Sequence, residues 1–355
     1  MCDMHNFSAG PCVLPREVYQ QAAQAVLDYQ GSGLSILEIS HRSDDFLSIL
    51  AEARSLALDL LHLDKSKYKT LFMQGSASLE FLRVPYNLLK TEAGYIDTGV
   101  WSSKAIAQAE LFGKVRLMGS SKITQYRTIP ELVLENSSLD YLHFTSNNTI
   151  YGTQFNEVPK VNVPLVCDMS SDIYSRTFDY SKIDLIYAGV QKNIGPAGLS
   201  MVLVNESILG KTNRVIPNIL DYNEHLKTDN LYHTANVFGV YSCLLNLRWL
   251  QNQGGVEAIE KRNESKAKLL YETLDTLDFV ETYSDMNCRS NMNVVFHFNN
   301  KSIDAMFDDL CKEASVVNLK GHRTLGGYRA SLYNALDIES VHVLIEVLNQ
   351  LEKQV

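Results

Sequence analysis

The sequence predicts an α/β protein, in which a larger domain has a mostly parallel central sheet flanked by helices and a smaller α+β domain follows. The first observation is that short apolar segments alternate with helical segments, a pattern typical of parallel sheets. The second is a change after residues 252–255 (NQGG), where a long charged helix begins. The third is the length of 355 residues, which is enough for two domains. We place the larger domain at residues 15–254 and the smaller domain at residues 1–14 and 255–355.

Two helices come first. The segment PREVYQQAAQAVLDYQ starts with a proline, which suits the first turn of a helix, and its helical periodicity ends near Gly31. The segment DDFLSILAEARSLALDLLHL predicts a second amphipathic helix with acidic residues in its first turn.

Short apolar strands follow, with helices predicted from about Ser76 and about Trp101 after the first two of them. The predicted strands are, in order, YKTLFMQ, GYIDTG, KVRLM, YLHFTS, VPLVCD, DLIYAG and LSMVLV. The smaller domain is predicted from the helix VEAIEKRNESKAKLLYETLDTL, the strand NVVFHF, the helix SIDAMFDDLCKEA, the strand YRASLY and the helix IESVHVLIEVLNQLEK.

Composition restricts the partners and the compartment. The formal net charge of −9 argues against nucleic acid or an anionic membrane as the main partner. No apolar run approaches the roughly 18 residues of a membrane span, and the N-terminus lacks a basic region followed by an apolar one. We therefore expect a cytoplasmic protein with reduced thiols, because no cysteines are spaced as C-x-x-C or as a zinc site. The cysteines are Cys2, Cys12, Cys167, Cys243, Cys288 and Cys311.

A carboxylate and a lysine fall at strand ends on the same predicted rim of the sheet. Asp168 ends VPLVCD, and Lys192 follows DLIYAG. Ligands gather at this carboxyl rim in parallel sheets. The two residues could form a structural ion pair. Alternatively, a confined lysine can form a Schiff base with pyridoxal phosphate, whose pyridine nitrogen needs a carboxylate partner.

Other strand ends carry residues that suit such a cofactor. The turn QGSASLEF would let backbone N–H groups at a helix N-terminus approach a phosphate, although many such turns are small and polar. Trp101 could stack on the ring or belong to the core, and Thr149 could reach the ring's phenolic oxygen or only form a turn.

Basic residues predict an anionic substrate. His41 is followed by Arg42, His322 is followed by Arg323, and Arg329 begins an apolar strand. Each could be an ordinary surface residue. Together they carry more positive charge than one carboxylate requires, which indicates a substrate with two or three anionic groups.

Seven segments, taken in order, resemble the phosphoserine aminotransferases, a pyridoxal-phosphate family with the aspartate-aminotransferase-like fold type I. They are NFSAGPCVLP, SILEISHRS, SLEFLRVPYNLL, CDMSSDIYSR, IYAGVQKNIGPAGLS, WLQNQGGVEAIEKRN and LKGHRTLGGYRASLYNAL. The resemblance covers nearly the whole chain. It implies reversible amino transfer between glutamate and 3-phosphohydroxypyruvate in serine biosynthesis, and it leaves a longer phosphohydroxythreonine-type substrate open.

The resemblance also implies a role for each matching residue. Lys192 would bind the cofactor covalently, Asp168 would pair with the pyridine nitrogen, Trp101 would stack on the ring and Thr149 would contact its phenolic side. Ala77, Ser78 and Gln191 would hold the phosphate of the cofactor. Arg329 would bind the substrate carboxylate. His41 and Arg42, with His322 and Arg323 from the partner subunit, would bind the substrate phosphate or the distal carboxylate of glutamate. The implied assembly is a homodimer with shared sites.

The chain departs from the family where the second subunit reaches the cofactor phosphate. The family usually has Asn-Thr and two prolines there, whereas this chain has His233, Thr234, Ala235 and Asn236. Histidine still donates a hydrogen bond and can carry charge, so we predict that cofactor affinity is retained but depends on pH.

Two further departures concern charge. Asn148 stands where an acidic residue is common, which we interpret as loss of a negative charge near the mouth of the site. Asp44 stands where a basic residue is frequent and could weaken steering of anions.

Two alternative functions stay open on the sequence. One is a related aminotransferase for small unphosphorylated amino acids, of the alanine–glyoxylate or serine–pyruvate type. The other is a non-catalytic protein that binds the cofactor, which only the altered loop at His233 supports.

Overall fold

The computed structural model describes residues 4–133 and 138–355 of the chain. The first three residues of the segment 1–14, which we assigned to the smaller domain, lie outside the described residues, and Cys2 is one of them.

The described residues form a seven-stranded central sheet whose strands come from the seven predicted apolar segments. The strands are β1 (Tyr68–Gln74), β2 (Glu92–Asp97), β3 (Lys114–Ser120), β4 (Leu142–Thr145), β5 (Leu165–Asp168), β6 (Leu185–Gly189) and β7 (Leu199–Asn205). Their order across the sheet is β1-β7-β6-β5-β4-β2-β3. Strand β7 runs antiparallel to both of its neighbours, and the other described pairings are parallel. The predicted α/β class with a mostly parallel sheet is confirmed.

Helices cover both faces of this sheet. They are α1 (Arg16–Leu27), α2 (Asp44–Asp59), α3 (Ala77–Leu88), α4 (Val100–Ala109), α5 (Tyr222–Lys227) and α6 (Val237–Asn252). Side chains of a strand alternate between its faces. Val166 of β5 accordingly packs in the core cluster that contains α3 and α4, whereas Leu165 and Cys167 pack in the cluster that contains α1, α2 and α6.

The helices α5 and α6 were not predicted. Helix α6 is buried on nearly all sides, so its sequence VFGVYSCLLNLRWLQN has no single apolar stripe that would mark an amphipathic helix. In the described part of the chain, no helix combines the length and the apolar character needed to cross a membrane. The five cysteines of that part are unpaired.

The C-terminal part has its own sheet and core. Its elements are α7 (Gly255–Leu274), β8 (Val280–Thr282), β9 (Asn293–Phe298), α8 (Ser302–Glu313), β10 (Tyr328–Ser331) and α9 (Ile338–Glu352). The strands pair antiparallel in the order β8-β9-β10. Near the N-terminus, His5–Asn6 pairs with Val316–Val317, and Phe7 packs in the C-terminal core. This pairing is compatible with the predicted smaller domain, whose bounds stay a prediction.

Candidate active site

A cavity of about 350 Å³ lies at the carboxyl ends of β4, β5 and β6, where the segment that contains β10 closes over the sheet. Its walls combine an amine, a carboxylate, an indole, hydroxyl groups and a guanidinium. The lining residues are Ala9, Gly10, Ser76, Ala77, Ser78, Phe81, Trp101, Thr145, Asn147, Thr149, Asp168, Ser170, Ser171, Gln191, Lys192, His322 and Arg329.

Lys192 and Asp168 face this cavity from neighbouring parallel strands. Loss of hydration lowers the pKa of Lys192 to about 8, against the opposing attraction of Asp168. The same loss raises the pKa of Asp168, while hydrogen bonds from Ser170 and the charge of Lys192 lower it. Lys192 therefore holds an amine that is partly deprotonated near neutral pH, as a nucleophile toward a carbonyl requires.

Thr149 connects the indole to the guanidinium. Trp101 Nε1 donates to Thr149 Oγ1 at 3.0 Å, and Arg329 Nη1 donates to the Thr149 carbonyl oxygen at 2.9 Å. Lys192 Nζ lies 6.0 Å from the centroid of the Trp101 ring. One residue in the short turn after β4 thus holds both an aromatic side chain and a cation at the wall of the cavity.

The turn between β1 and α3 forms another wall. Ser76, Ala77 and Ser78 line the cavity at the start of the helix, whose N-terminal N–H groups and dipole favour an anion. Gln191 lines the cavity beside them. The residues that we predicted to hold a phosphate therefore line the same cavity as the lysine.

The N-terminal segment closes the cavity over Lys192. The Cys12 N–H donates to the Gln191 carbonyl oxygen at 3.1 Å, which holds the segment down. Gly10 has a φ of +126°, and a Cβ at this position would lie 3.2 Å from Lys192 Cγ. A side chain there would be strained and would press on the lysine, so glycine is needed.

Five of the predicted site residues do not line this cavity. They are His41, Arg42, His233, Thr234 and Arg323. Within the described residues, Nε2 of His41 and Nδ1 of His233 are buried without a hydrogen-bond partner. Gln74, the last residue of β1, donates to the Thr234 carbonyl oxygen. Residues 233–234 therefore lie beside the end of β1, the strand that precedes the turn at Ser76, but they lie outside the cavity of their own chain.

His322 requires a correction. The resemblance implied that it reaches the site from the partner subunit, whereas it lines the cavity of its own chain. The cause is connectivity, because its loop leads into β10, which carries Arg329. Burial lowers the pKa of His322, and the nearby charges of Arg329, Arg323 and Lys104 lower it further.

The interpretation of Asn148 as a residue near the mouth of the site is also wrong. Asn148 is buried, its Nδ2 donates to the Thr98 carbonyl oxygen, and its Oδ1 accepts from the Ile150 N–H at 3.2 Å. Its amide holds the turn that carries Thr149 against the loop before α4. A carboxylate here could not donate to Thr98 unless it were protonated.

Sequence reasoning missed several polar residues of the cavity, among them Thr145, Asn147, Ser170 and Ser171. Thr145 is the last residue of β4 and pairs in register with Asp168. The strand-end position was therefore a signal that could have found it. Thr145 Oγ1 is buried and has no partner among the described residues, so the cavity offers a free hydroxyl group beside the carboxylate.

These residues fit pyridoxal phosphate. Lys192 would supply the amine for its aldehyde, Asp168 would supply the carboxylate for its pyridine nitrogen, and Trp101 would supply an aromatic face. The N-terminus of α3 suits its phosphate, and the unpartnered hydroxyl of Thr145 leaves a polar atom for a ligand to satisfy. Among the described residues, no cluster of His, Cys, Asp and Glu could hold a metal ion.

Comparisons with known proteins agree with this chemistry. The family model for aminotransferase class-V matches residues 4–344. A phosphoserine aminotransferase of Flavobacterium psychrophilum is 53% identical over 353 residues, with 99% of each chain covered. The solved phosphoserine aminotransferase of Bacillus circulans subsp. alkalophilus matches with a TM-score of 0.95, 39% identity and 99% of each chain covered.

A structure described as a PLP-bound phosphoserine aminotransferase from Trichomonas vaginalis matches with a TM-score of 0.93 at 30% identity, covering 98% of this chain and 100% of that one. The agreement thus extends over the full length and includes proteins solved with the cofactor. The chain belongs to the phosphoserine aminotransferase family within the class-V aminotransferases, whose cofactor is pyridoxal phosphate.

Proposed function

We propose that this protein catalyses reversible amino transfer between L-glutamate and 3-phosphohydroxypyruvate, giving 2-oxoglutarate and O-phospho-L-serine. The observation that carries the proposal is the placement of Lys192 and Asp168 in one cavity with Arg329 and His322. The first pair suits the cofactor, and the second pair suits an anionic substrate.

The cofactor, when bound, withdraws electrons from the substrate's α-carbon. Lys192 would hold the cofactor through its aldehyde, and the same amine would serve as the base that moves a proton at the substrate's α-carbon. Asp168 holds the proton of the pyridine nitrogen. Trp101, fixed by Thr149, orients the ring. Ala77, Ser78 and Gln191 would hold the cofactor phosphate.

Arg329 binds the substrate carboxylate. The carbonyl oxygen of Thr149 holds one arm of its guanidinium. The guanidinium is therefore oriented by the backbone and not by a carboxylate of the protein, so it can bind the carboxylate of a substrate. Arg323 lies near His322 and adds positive charge, although the whole chain has a net charge of −9, whereas His322, whose pKa is lowered, can serve as a hydrogen-bond donor. This local charge suits a second anionic group, which is a phosphate in one half-reaction and the distal carboxylate of glutamate in the other.

Removing the phosphate from the substrate tests this specificity. We expect kcat/KM for hydroxypyruvate to be at least about 10²-fold below that for 3-phosphohydroxypyruvate, because each hydrogen bond to a charged group contributes about 1.5–3 kcal/mol. Steady-state kinetics with both substrates measures the ratio. Equal values would instead favour an aminotransferase for small unphosphorylated amino acids.

Variants of Arg329 extend the same test. Arg329→Lys keeps a charge but loses the fork, so kcat/KM should fall about tenfold or more for every substrate. Arg248→Lys is the control, since Arg248 pairs with Glu52 and does not line the cavity.

The proposed assembly is a cytoplasmic homodimer in which His41, Arg42, His233 and Thr234 serve the partner's site. It is supported by the position of these residues outside the cavity of their own chain and by the unpartnered ring nitrogens of His41 and His233. Sedimentation equilibrium measures the mass of the assembly.

His233 should make the affinity of this assembly for the cofactor depend on pH. Burial lowers the pKa of His233, and His225, Arg83 and His41 lower it further, which favours the neutral ring. A cofactor phosphate beside it would raise that pKa, so binding would take up a proton. We therefore expect affinity to increase as the pH falls from about 7.5 to 5.5, by at most about tenfold per unit.

The matched variant is His233→Asn, which restores the family's residue and cannot titrate. Cofactor dissociation constants measured across this pH range should show a weaker dependence in the variant than in the parent protein. Parallel curves for the two proteins would contradict a role for His233 at the phosphate.

A further inference from the structure

Ser170 makes the closest contact to the carboxylate of Asp168. Its Oγ donates to Asp168 Oδ1 at 2.6 Å, and its backbone N–H donates to the same oxygen at 3.0 Å. Ser170 is buried at the wall of the cavity, two residues after the end of β5. Two donors on one oxygen fix the direction of the carboxylate.

The same hydroxyl also holds the neighbouring strand. Ser170 Oγ accepts from the Gly189 N–H at 3.0 Å, and Gly189 is the last residue of β6, three positions before Lys192. One oxygen atom therefore joins the strand end that presents the carboxylate to the strand end that presents the amine. A change at Ser170 would act on both groups.

The two oxygens of Asp168 are thereby made unequal. Oδ1 accepts both bonds from Ser170, whereas Oδ2 accepts none from the described residues. Oδ2 is thus available for a cationic N–H in the cavity. Donors on Oδ1 favour the ionised carboxylate, which opposes the effect of burial.

We propose that Ser170 is a positioning residue that keeps Asp168 ionised, directs its free oxygen into the cavity and fixes its spacing from Lys192. This inference rests on the proposed function, because its effect is exerted on the pyridine nitrogen of the cofactor. Its signature is the protonation of that nitrogen, which a merely structural residue would not change.

The test uses the holoenzyme loaded with cofactor labelled with ¹⁵N at the pyridine nitrogen. Ser170→Ala removes the hydroxyl donor, so the proton should shift from the nitrogen toward Asp168. We expect the ¹⁵N resonance to move toward its unprotonated position at a lower pH than in the parent protein. The cofactor should also dissociate about tenfold more readily, the effect of losing one charge-assisted hydrogen bond.

Two further variants test whether the effect is specific to the hydroxyl group of Ser170. Ser170→Thr keeps the hydroxyl and should restore the ¹⁵N resonance. Ser175→Ala is the matched control, because Ser175 is another buried serine of the same segment, and its Oγ donates to the Asp172 carbonyl oxygen and not to Asp168. It should leave the resonance unchanged. If Ser170→Ala does not fold, Ser170→Cys, with its weaker donor, is measured in the same way.

The outcomes separate the two proposals. The role of Ser170 would be overturned if the pyridine nitrogen stays protonated in Ser170→Ala over the whole pH range in which it is protonated in the parent protein. Failure of the parent protein to transaminate 3-phosphohydroxypyruvate would overturn the proposed function, whatever the variant shows.

Discussion

Replacing Lys192 with alanine should abolish covalent attachment of the cofactor and lower the rate of transamination of O-phosphoserine by at least about 10²–10⁴-fold, the usual range for a single acid–base group. The loss should be larger than this range, because the same amine also forms the covalent bond to the cofactor. Absorbance of the bound cofactor and single-turnover kinetics measure the two effects. Full activity in the variant would refute the mechanism.

Lys192→Arg distinguishes chemistry from structure. A guanidinium keeps the positive charge opposite Asp168 but stays protonated at every accessible pH. If Lys192 were only a partner in an ion pair, the arginine variant would retain most of the activity. We expect it to be as inactive as the alanine variant.

The pKa of Lys192 predicts the pH dependence of cofactor reattachment. Burial lowers this pKa to about 8, so the reactive neutral amine increases about tenfold per pH unit below 8 and is nearly complete above it. The rate of covalent attachment to the apoprotein should therefore rise with pH and level off near 8. A rise that continues to about 10.4, the value of an ordinary lysine, would show that burial does not perturb the amine.

The largest expected effect on stability comes from a second buried lysine, Lys266 on α7. Its Nζ donates to the carbonyl oxygens of Leu332, Tyr333 and Leu336 at 3.0, 2.8 and 3.0 Å. These carbonyls belong to the turn after β10, the strand of Arg329. Lys266→Met would leave them without their donor, and we expect a loss of about 2–4 kcal/mol in the free energy of unfolding.

Lys268→Met is the control for this variant. Lys268 lies on the same helix, but its side chain is 75% exposed and its ion pair with Glu272 spans 3.7 Å. Such a surface pair contributes at most about 1 kcal/mol. Urea unfolding compares the two variants, and equal midpoints would show that the three carbonyls find other donors.

The pH dependence of this stability has a definite sign. Burial lowers the pKa of Lys266 to about 7, whereas the unfolded chain keeps this proton to about pH 10.4. Between these values the unfolded state holds more protons, so the contribution of Lys266 to the free energy of unfolding rises with pH. Lys266→Met should lack this rise.

Much of the lining of the candidate site was predictable because strand ends are visible in the sequence. Asp168 and Lys192 follow apolar segments, and in a parallel sheet such positions meet at one rim. Trp101, Thr149 and the turn at Ala77 and Ser78 follow the same rule. Thr145 obeys it too but was missed, since a single threonine is not distinctive. Helix α6 was missed because a helix buried on all sides shows no amphipathic period.

The sequence by itself determined the strands of the central sheet, most of the helices, the family and the pair Lys192 and Asp168, because apolar periodicity and residue order are local properties of the chain. Only the tertiary structure decided the antiparallel direction of β7, the burial of Asn148, the entry of His322 into the cavity of its own chain and the link from Ser170 to Gly189. Each of these features depends on contacts between residues that are distant in sequence or on the path that a loop follows. Local composition does not encode such contacts, since they are fixed only when the sheet and the C-terminal segment pack together.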